Sequence, residues 1–186
     1  MIKPHGSDEL NPLFVYDTEK HEAISKEAES LPSLLLSSSA AGNAVMLGAG
    51  YYSPLTGYMN VADAVSCADK LHTTDGVFFP VPVLNLTEKA EGFSVGDRIA
   101  LRDPNVEGHP VLSAQTVTAS ENVRDEQMQL MTEKVYRTTD TEHPGGAAFN
   151  SHGQVAVAGP IEVLNFSYCQ SEFPDTFRTA VEIRNE

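Results

Sequence analysis

The sequence predicts an α+β domain built around a small barrel-like sheet. Three observations carry that reading. Short strand-like runs alternate with separate amphipathic helical segments. Two of the runs flank a polar loop, DPNVEGHP (103–110), in the manner of a hairpin with a long tip. A third run, QVAVAGPIEVLNF (154–166), is interrupted at Gly159-Pro160, which reads as one long strand bent in the middle.

The elements follow in order. Asp17 precedes TEKHEAISKEAESL, where Ala23, Ile24, Ala28 and Leu31 recur at helical spacing, so a helix is expected from about 18 to 31, ended by Pro32. Asn60 can cap a second helix, VADAVSCADKL, with Val61, Ala64, Val65, Ala68 and Leu71 on one face. Asp75-Gly76 reads as a turn. FFPVPVLNL (78–86) is apolar but carries two prolines, which predicts an edge or bulged strand. DRIALRD (97–103) and VLSAQTVTA (111–119) form the hairpin, and Glu121 to Tyr136 reads as a helix. TTDTEHPGG (138–146) then makes a turn between that helix and a strand, with Gly145 and Gly146 allowing a tight bend. Asp175 is a candidate cap for a terminal helix in TFRTAVEIRNE.

Size and charge narrow the function. A chain of 186 residues is one domain with at most a fragment of another. Twelve basic and 26 acidic residues give a net charge of −14, which repels phosphate backbones and anionic lipids and disfavours nucleic acid and membrane partners. The most apolar stretch, from Leu34 to Gly50, is broken by serines, glycines and Asn43 and is too short to span a bilayer. Two cysteines without a CxxC spacing, and an N-terminus without an apolar signal region, predict a reduced, cytoplasmic protein.

Candidate chemistry is thin. Asp140, Glu142 and His143 could form a metal site or an acid/base cluster, but a turn accounts for them with no further ligand. GAGYYS (48–53) resembles the start of a dinucleotide fingerprint with Ser53 in the third glycine position, and loop geometry is the better reading. Cys67 lies on an apolar helix face and reads as packing. Ser151 and His152 are adjacent and so do not converge on one reaction centre. The six histidines are never three or four residues apart, so no helix presents a paired imidazole site. No catalytic, cofactor-binding or metal residue is assigned.

A set of longer segments points further: PHG (4–6), EAESLP (27–32), GAGYYSPLTGYM (48–59), PVPVLNL to residue 86, IALRDPNVEG (99–108) and VYRTTDTEHPG (135–145). In this order they resemble the N-terminal PUA-like domain of ATP sulfurylase, or sulfate adenylyltransferase. The resemblance implies a PUA-like domain over residues 1–173, with 174–186 opening a second, catalytic α/β domain. It implies that the parent enzyme joins ATP and sulfate into adenylyl sulfate and diphosphate, uses Mg-ATP, and is a homo-oligomer. The family's Gln-Thr-Arg-Asn-Pro and His-x-x-His segments, which grip sulfate and face the ATP phosphates, do not occur here. The chain by itself is therefore expected to be inactive, with no cofactor of its own. It also departs from the family at Arg137, where glycine is usual, and at Gly146, where valine is usual. Arg137 puts a sharp turn at that point in doubt. The alternative is a free-standing PUA-like binding module, against which the acidic balance argues.

Overall fold

The computed structural model describes residues 3–186, arranged as a curled mixed sheet with helices around it. The α+β expectation holds. The sheet has seven strands: β1 (Ser33–Leu35), β2 (Gly57–Tyr58), β3 (Leu86–Thr87), β4 (Arg98–Arg102), β5 (Val111–Thr116), β6 (Ala119–Asn122) and β7 (Val155–Val163). The main path runs β1-β4-β5-β7-β2, and β3 and β6 also pair with β7. β1 is parallel to β4, and the remaining pairs are antiparallel.

β7 holds four neighbours because it bends. Its first half, Val155–Ala158, pairs with β6 and β3, and its last residues, Ile161–Val163, pair with β5. Between them Gly159 and Pro160 meet β2. Gly159 has φ +140, and a Cβ there would collide with the carbonyl oxygen of Thr116. A Cβ on Gly57 would strike the carbonyl of Gly159. Both positions therefore require glycine for close approach.

The helices are α1 (Thr18–Ala28), α2 (Ser38–Gly48), α3 (Val61–Lys70), α4 (Asp125–Tyr136), α5 (Pro144–Ser151), α6 (Cys169–Glu172) and α7 (Ala180–Asn185). Asp17 caps α1 by accepting the Lys20 amide at 2.7 Å, and Asn60 caps α3 by accepting the Asp63 amide at 2.8 Å. Helix α2 fills the stretch read only as too short for a membrane. Its small residues Ala40, Ala41, Ala44 and Gly48 are buried, and a Cβ on Gly48 would lie 2.8 Å from Val163. Small side chains bring this helix close against β7. No helix among the described residues is long and apolar enough to cross a membrane.

Four expectations need correction. The 78–86 run makes almost no ladder: Phe78 forms an isolated bridge with His72, and only Leu86 enters a strand. Its prolines remove donors, and the segment instead supplies acceptors, Val83 to the Met59 amide and Asn85 to the Val157 amide, both at 2.9 Å. Glu121 and Asn122 belong to β6 rather than to the start of a helix, because pairing with β7 takes up their backbone, and α4 begins at Asp125. Glu121, which reads as a helix N-terminal acid, does serve one, but on α3, where it accepts the Val61 amide at 3.1 Å. The terminal helix begins at Ala180 under a Thr179 cap, not at Asp175. Finally, 144–151 is helix α5 rather than a strand.

Phe177 packs on Phe166, with ring centroids 5.2 Å apart, and the Ala180 amide donates to Ala49 at 2.9 Å, which docks the tail on the end of α2. Ile183 stays exposed.

One ionic cluster ties α1 to the sheet. Arg98 on β4 grips Glu27 with two bonds of 3.1 and 3.2 Å and reaches Glu162 on β7 at 3.0 Å, while Lys20 reaches Glu162 at 2.7 Å. Burial disfavours the charged form of Glu162, but the bonds and charges of Lys20 and Arg98 outweigh it and hold its pKa below the ordinary 4.5. A depressed carboxyl stabilises the fold above its unfolded pKa and loses that contribution as pH falls through the folded value. Urea titrations of Glu162→Gln should accordingly show a deficit at pH 7 that shrinks steadily below pH 4.5. A deficit independent of pH would contradict this.

The bend in β7 yields a second expectation. Gly159→Ala should lose roughly 2–4 kcal/mol, from left-handed backbone plus collision. Gly76, with φ +92 and nothing near its missing Cβ, is the control, and Gly76→Ala should lose only about 1 kcal/mol. Equal losses at the two sites would show that the collision at Thr116 is relieved.

Candidate functional site

The polar stretch 138–146 becomes a chain of caps. The Thr138 hydroxyl accepts the Asp140 amide at 3.0 Å, and Asp140 Oδ1 accepts the Glu142 amide at 2.9 Å. His143 is the N-cap of α5, its Nδ1 accepting the Gly146 amide at 3.2 Å, and Pro144 takes the first helical position. The stretch thus joins two helices. Arg137 ends α4 with φ +60, so the sharp turn is made although the residue is not glycine. Gly146 is buried inside the first turn of α5, where an added Cβ would lie 3.4 Å from the Thr132 methyl.

The other candidates disperse. GAGYYS lies at the C-terminal end of α2, the opposite polarity from a phosphate-binding glycine turn, and Ser53 Oγ donates to Gly50 at 2.8 Å. Cys67 is fully buried, and burial, reinforced by the charges of Asp63 and Asp75, pushes its thiol up to about 11, so no thiolate forms near neutrality. Ser151 Oγ donates to Ala148 at 2.8 Å while the His152 ring turns to Ser39, at 3.4 Å. Among the described residues no three His, Cys, Asp or Glu side chains converge to hold a metal ion.

What the sequence reading missed is a cleft of about 230 Å³ where α2, α4 and α5 meet the 81–86 segment. Its walls are apolar: Val81, Pro82, Leu84 and Leu86 on one side, Met131, Val135, Tyr136 and Phe149 on the other. Ser37, Ser39, Asn43 and His152 supply the polar groups. Burial pushes His152 below its ordinary pKa of 6.5, so the ring is neutral at pH 7. No basic residue lines the cleft, so its walls do not fit the phosphates of a nucleotide. The residues come from four segments up to about a hundred positions apart. The one sequence signal was the serine run 37–39 opening an alanine-rich helix.

A curled mixed sheet with one strand shared by four neighbours, wrapped by short capped helices, defines a PUA-like domain. The family model of the PUA-like domain matches residues 2–166, and the chain belongs to that family. Its relatives narrow the field. The chain is 66% identical over all its 186 residues to a sulfate adenylyltransferase of Allochromatium vinosum, covering 47% of that protein. It is 60% identical to the sulfate adenylyltransferase of the Riftia pachyptila sulfur-oxidizing endosymbiont, covering 42% of it. Among solved structures it matches the hexameric APS kinase from Thiobacillus denitrificans with TM-score 0.70 and 28% identity, over all of this chain and 31% of that one. The chain spans about half the length of the curated relatives it matches.

If His143 is a cap and nothing more, His143→Ala should lower stability by roughly 1 kcal/mol. Replacement by Asn, which caps as well, should restore most of it. Failure of Asn to rescue would give the imidazole a role that capping does not explain.

Proposed function

We propose that this chain is the PUA-like part of a sulfate adenylyltransferase and serves there as a structural and assembly domain. The observation that carries the reading is 66% identity across the full chain to an enzyme of that name, of which the chain covers 47%. The reaction is an in-line displacement: a sulfate oxygen bonds to the α-phosphorus of ATP and diphosphate leaves. It needs no protein nucleophile, so its catalysis rests on positioning and on neutralising charge with basic groups and Mg²⁺.

The residues of this chain are poorly suited to that work. Lys3, Lys20, Lys89, Arg98, Arg124, Lys134 and Arg178 each sit against a carboxylate of the same chain. ATP, Mg²⁺ and sulfate are therefore assigned to a catalytic domain outside this one, which residues 174–186 would begin to enter. The same engagement of basic residues argues against a nucleic acid partner. Assembly into a homo-oligomer is supported by the hexameric state of the APS kinase neighbour. A cytoplasmic location agrees with the substrates.

The test has two arms. The purified chain, supplied with Mg-ATP and sulfate, should release no diphosphate above background. A rate within about a hundredfold of a typical ~10 per second would place the active site in this domain. Grafted in place of the matching half of the Allochromatium enzyme, the chain should support turnover within about tenfold of the parent. A folded, assembled but inactive graft would overturn the reading.

A further inference from the structure

The cleft between α2, α4 and α5 has the build of a small-molecule site, and it stands apart from the adenylyl-transfer chemistry. We propose that it binds an uncharged aromatic heterocycle of one or two rings, the chemistry of a nucleobase, with its faces against Tyr136 and Phe149 and its polar edge toward Asn43, Ser39 and His152.

Size sets the occupant. An apolar cavity of roughly 150 Å³ accepts one benzene ring. The cleft, at about 230 Å³, has room for one ring with substituents or two fused rings. It is smaller than the range of about 300–1,000 Å³ occupied by drug-sized ligands.

Shape and polarity favour a flat, hydrogen-bonding molecule over an aliphatic one. The rings of Tyr136 and Phe149 stand 6.2 Å apart at 50°, making an aromatic corner. The Asn43 amide on the cleft wall offers a donor and an acceptor side by side, and Tyr136 adds a hydroxyl. The imidazole of His152 keeps Nε2 open while Nδ1 faces Ser39 at 3.4 Å. These groups can read a heterocycle edge much as amides read nucleobase edges elsewhere.

Charge excludes the alternatives. No Lys, Arg, Asp or Glu lines the cleft, so an ionised ligand would shed its hydration without gaining a counter-charge. The free ring or its nucleoside should therefore bind better than the nucleotide. Three of the four segments that line it belong to helices α2, α4 and α5, which hold that part of the wall in place before any ligand arrives.

The experiment is an NMR titration of the 186-residue chain with adenine, adenosine and AMP, and with indole as a ring lacking a nucleobase edge. Adenine and adenosine should give saturable shifts confined to α2, α4, α5 and residues 81–86, and AMP should bind at least about fivefold more weakly. Asn43→Leu should weaken adenine about tenfold and leave indole unchanged. Val81→Trp, at the exposed rim, should block both ligands while the melting curve holds. No saturable adenine shift up to about 5 mM would overturn the proposal. So would tighter binding of AMP than of adenosine, or adenine binding left intact by both folded variants.

Discussion

Three backbones meet at Gly159, and the rest of the structure depends on that crossing. Gly57 lies against its carbonyl and Thr116 presents a carbonyl where a side chain would stand. Contact this close is possible only because two of the three residues lack a Cβ. The bend lets one strand exchange one set of partners for another without losing backbone hydrogen bonds. Its first half closes on β3 and β6, and its second half joins β5 and the N-terminal segment through Leu13 and Val15. The curl of the sheet follows from that exchange.

The helical layer is positioned by the same strand. Gly48 brings the end of α2 onto Val163, and from there α2 runs back across the sheet to Ser37. Phe14 stacks on Phe166 at 4.7 Å, and Phe166 in turn receives Phe177, so the chain's two ends are fastened beside the same helix terminus. At the other end of α2, Ser39 in its first turn faces His152 and the cleft opens. Small residues in α2 thus do two things: they bring it close to the sheet, and they leave space beyond its N-terminus for larger side chains from α4 and α5.

Charge is distributed to match. Arg98 and Lys20 fasten α1 across two strands by gathering Glu27 and Glu162. The cleft by contrast contains only neutral groups. A chain carrying −14 overall thus keeps charged side chains off the walls of this cleft, while Arg98 and Lys20 use theirs in the contact between α1 and the sheet.

Local chemistry was legible in the sequence wherever a few neighbouring residues decide the outcome. Asp17 and Asn60 cap the helices their side chains suggested, the hairpin of β4 and β5 turns at 103–110, and β7 bends at Gly159-Pro160. The turn reading of Asp140 and Glu142 was recoverable too, because short polar side chains bond their own backbone. Residues 78–86 and 121–122 were misread because a strand exists only when another strand pairs with it, and the sequence does not print its partners. Arg137 takes a left-handed backbone at the end of α4, which its residue type does not signal. The cleft was invisible for a related reason. Its walls come from α2, the 81–86 segment, α4 and α5, and a cavity is a property of how distant surfaces fail to close on one another. By itself the sequence determined the caps of α1 and α3, the local turns and the acidic balance, which short-range bonding and composition fix. Only the tertiary structure decided strand pairing and the cleft, since both depend on which segments long-range packing brings face to face.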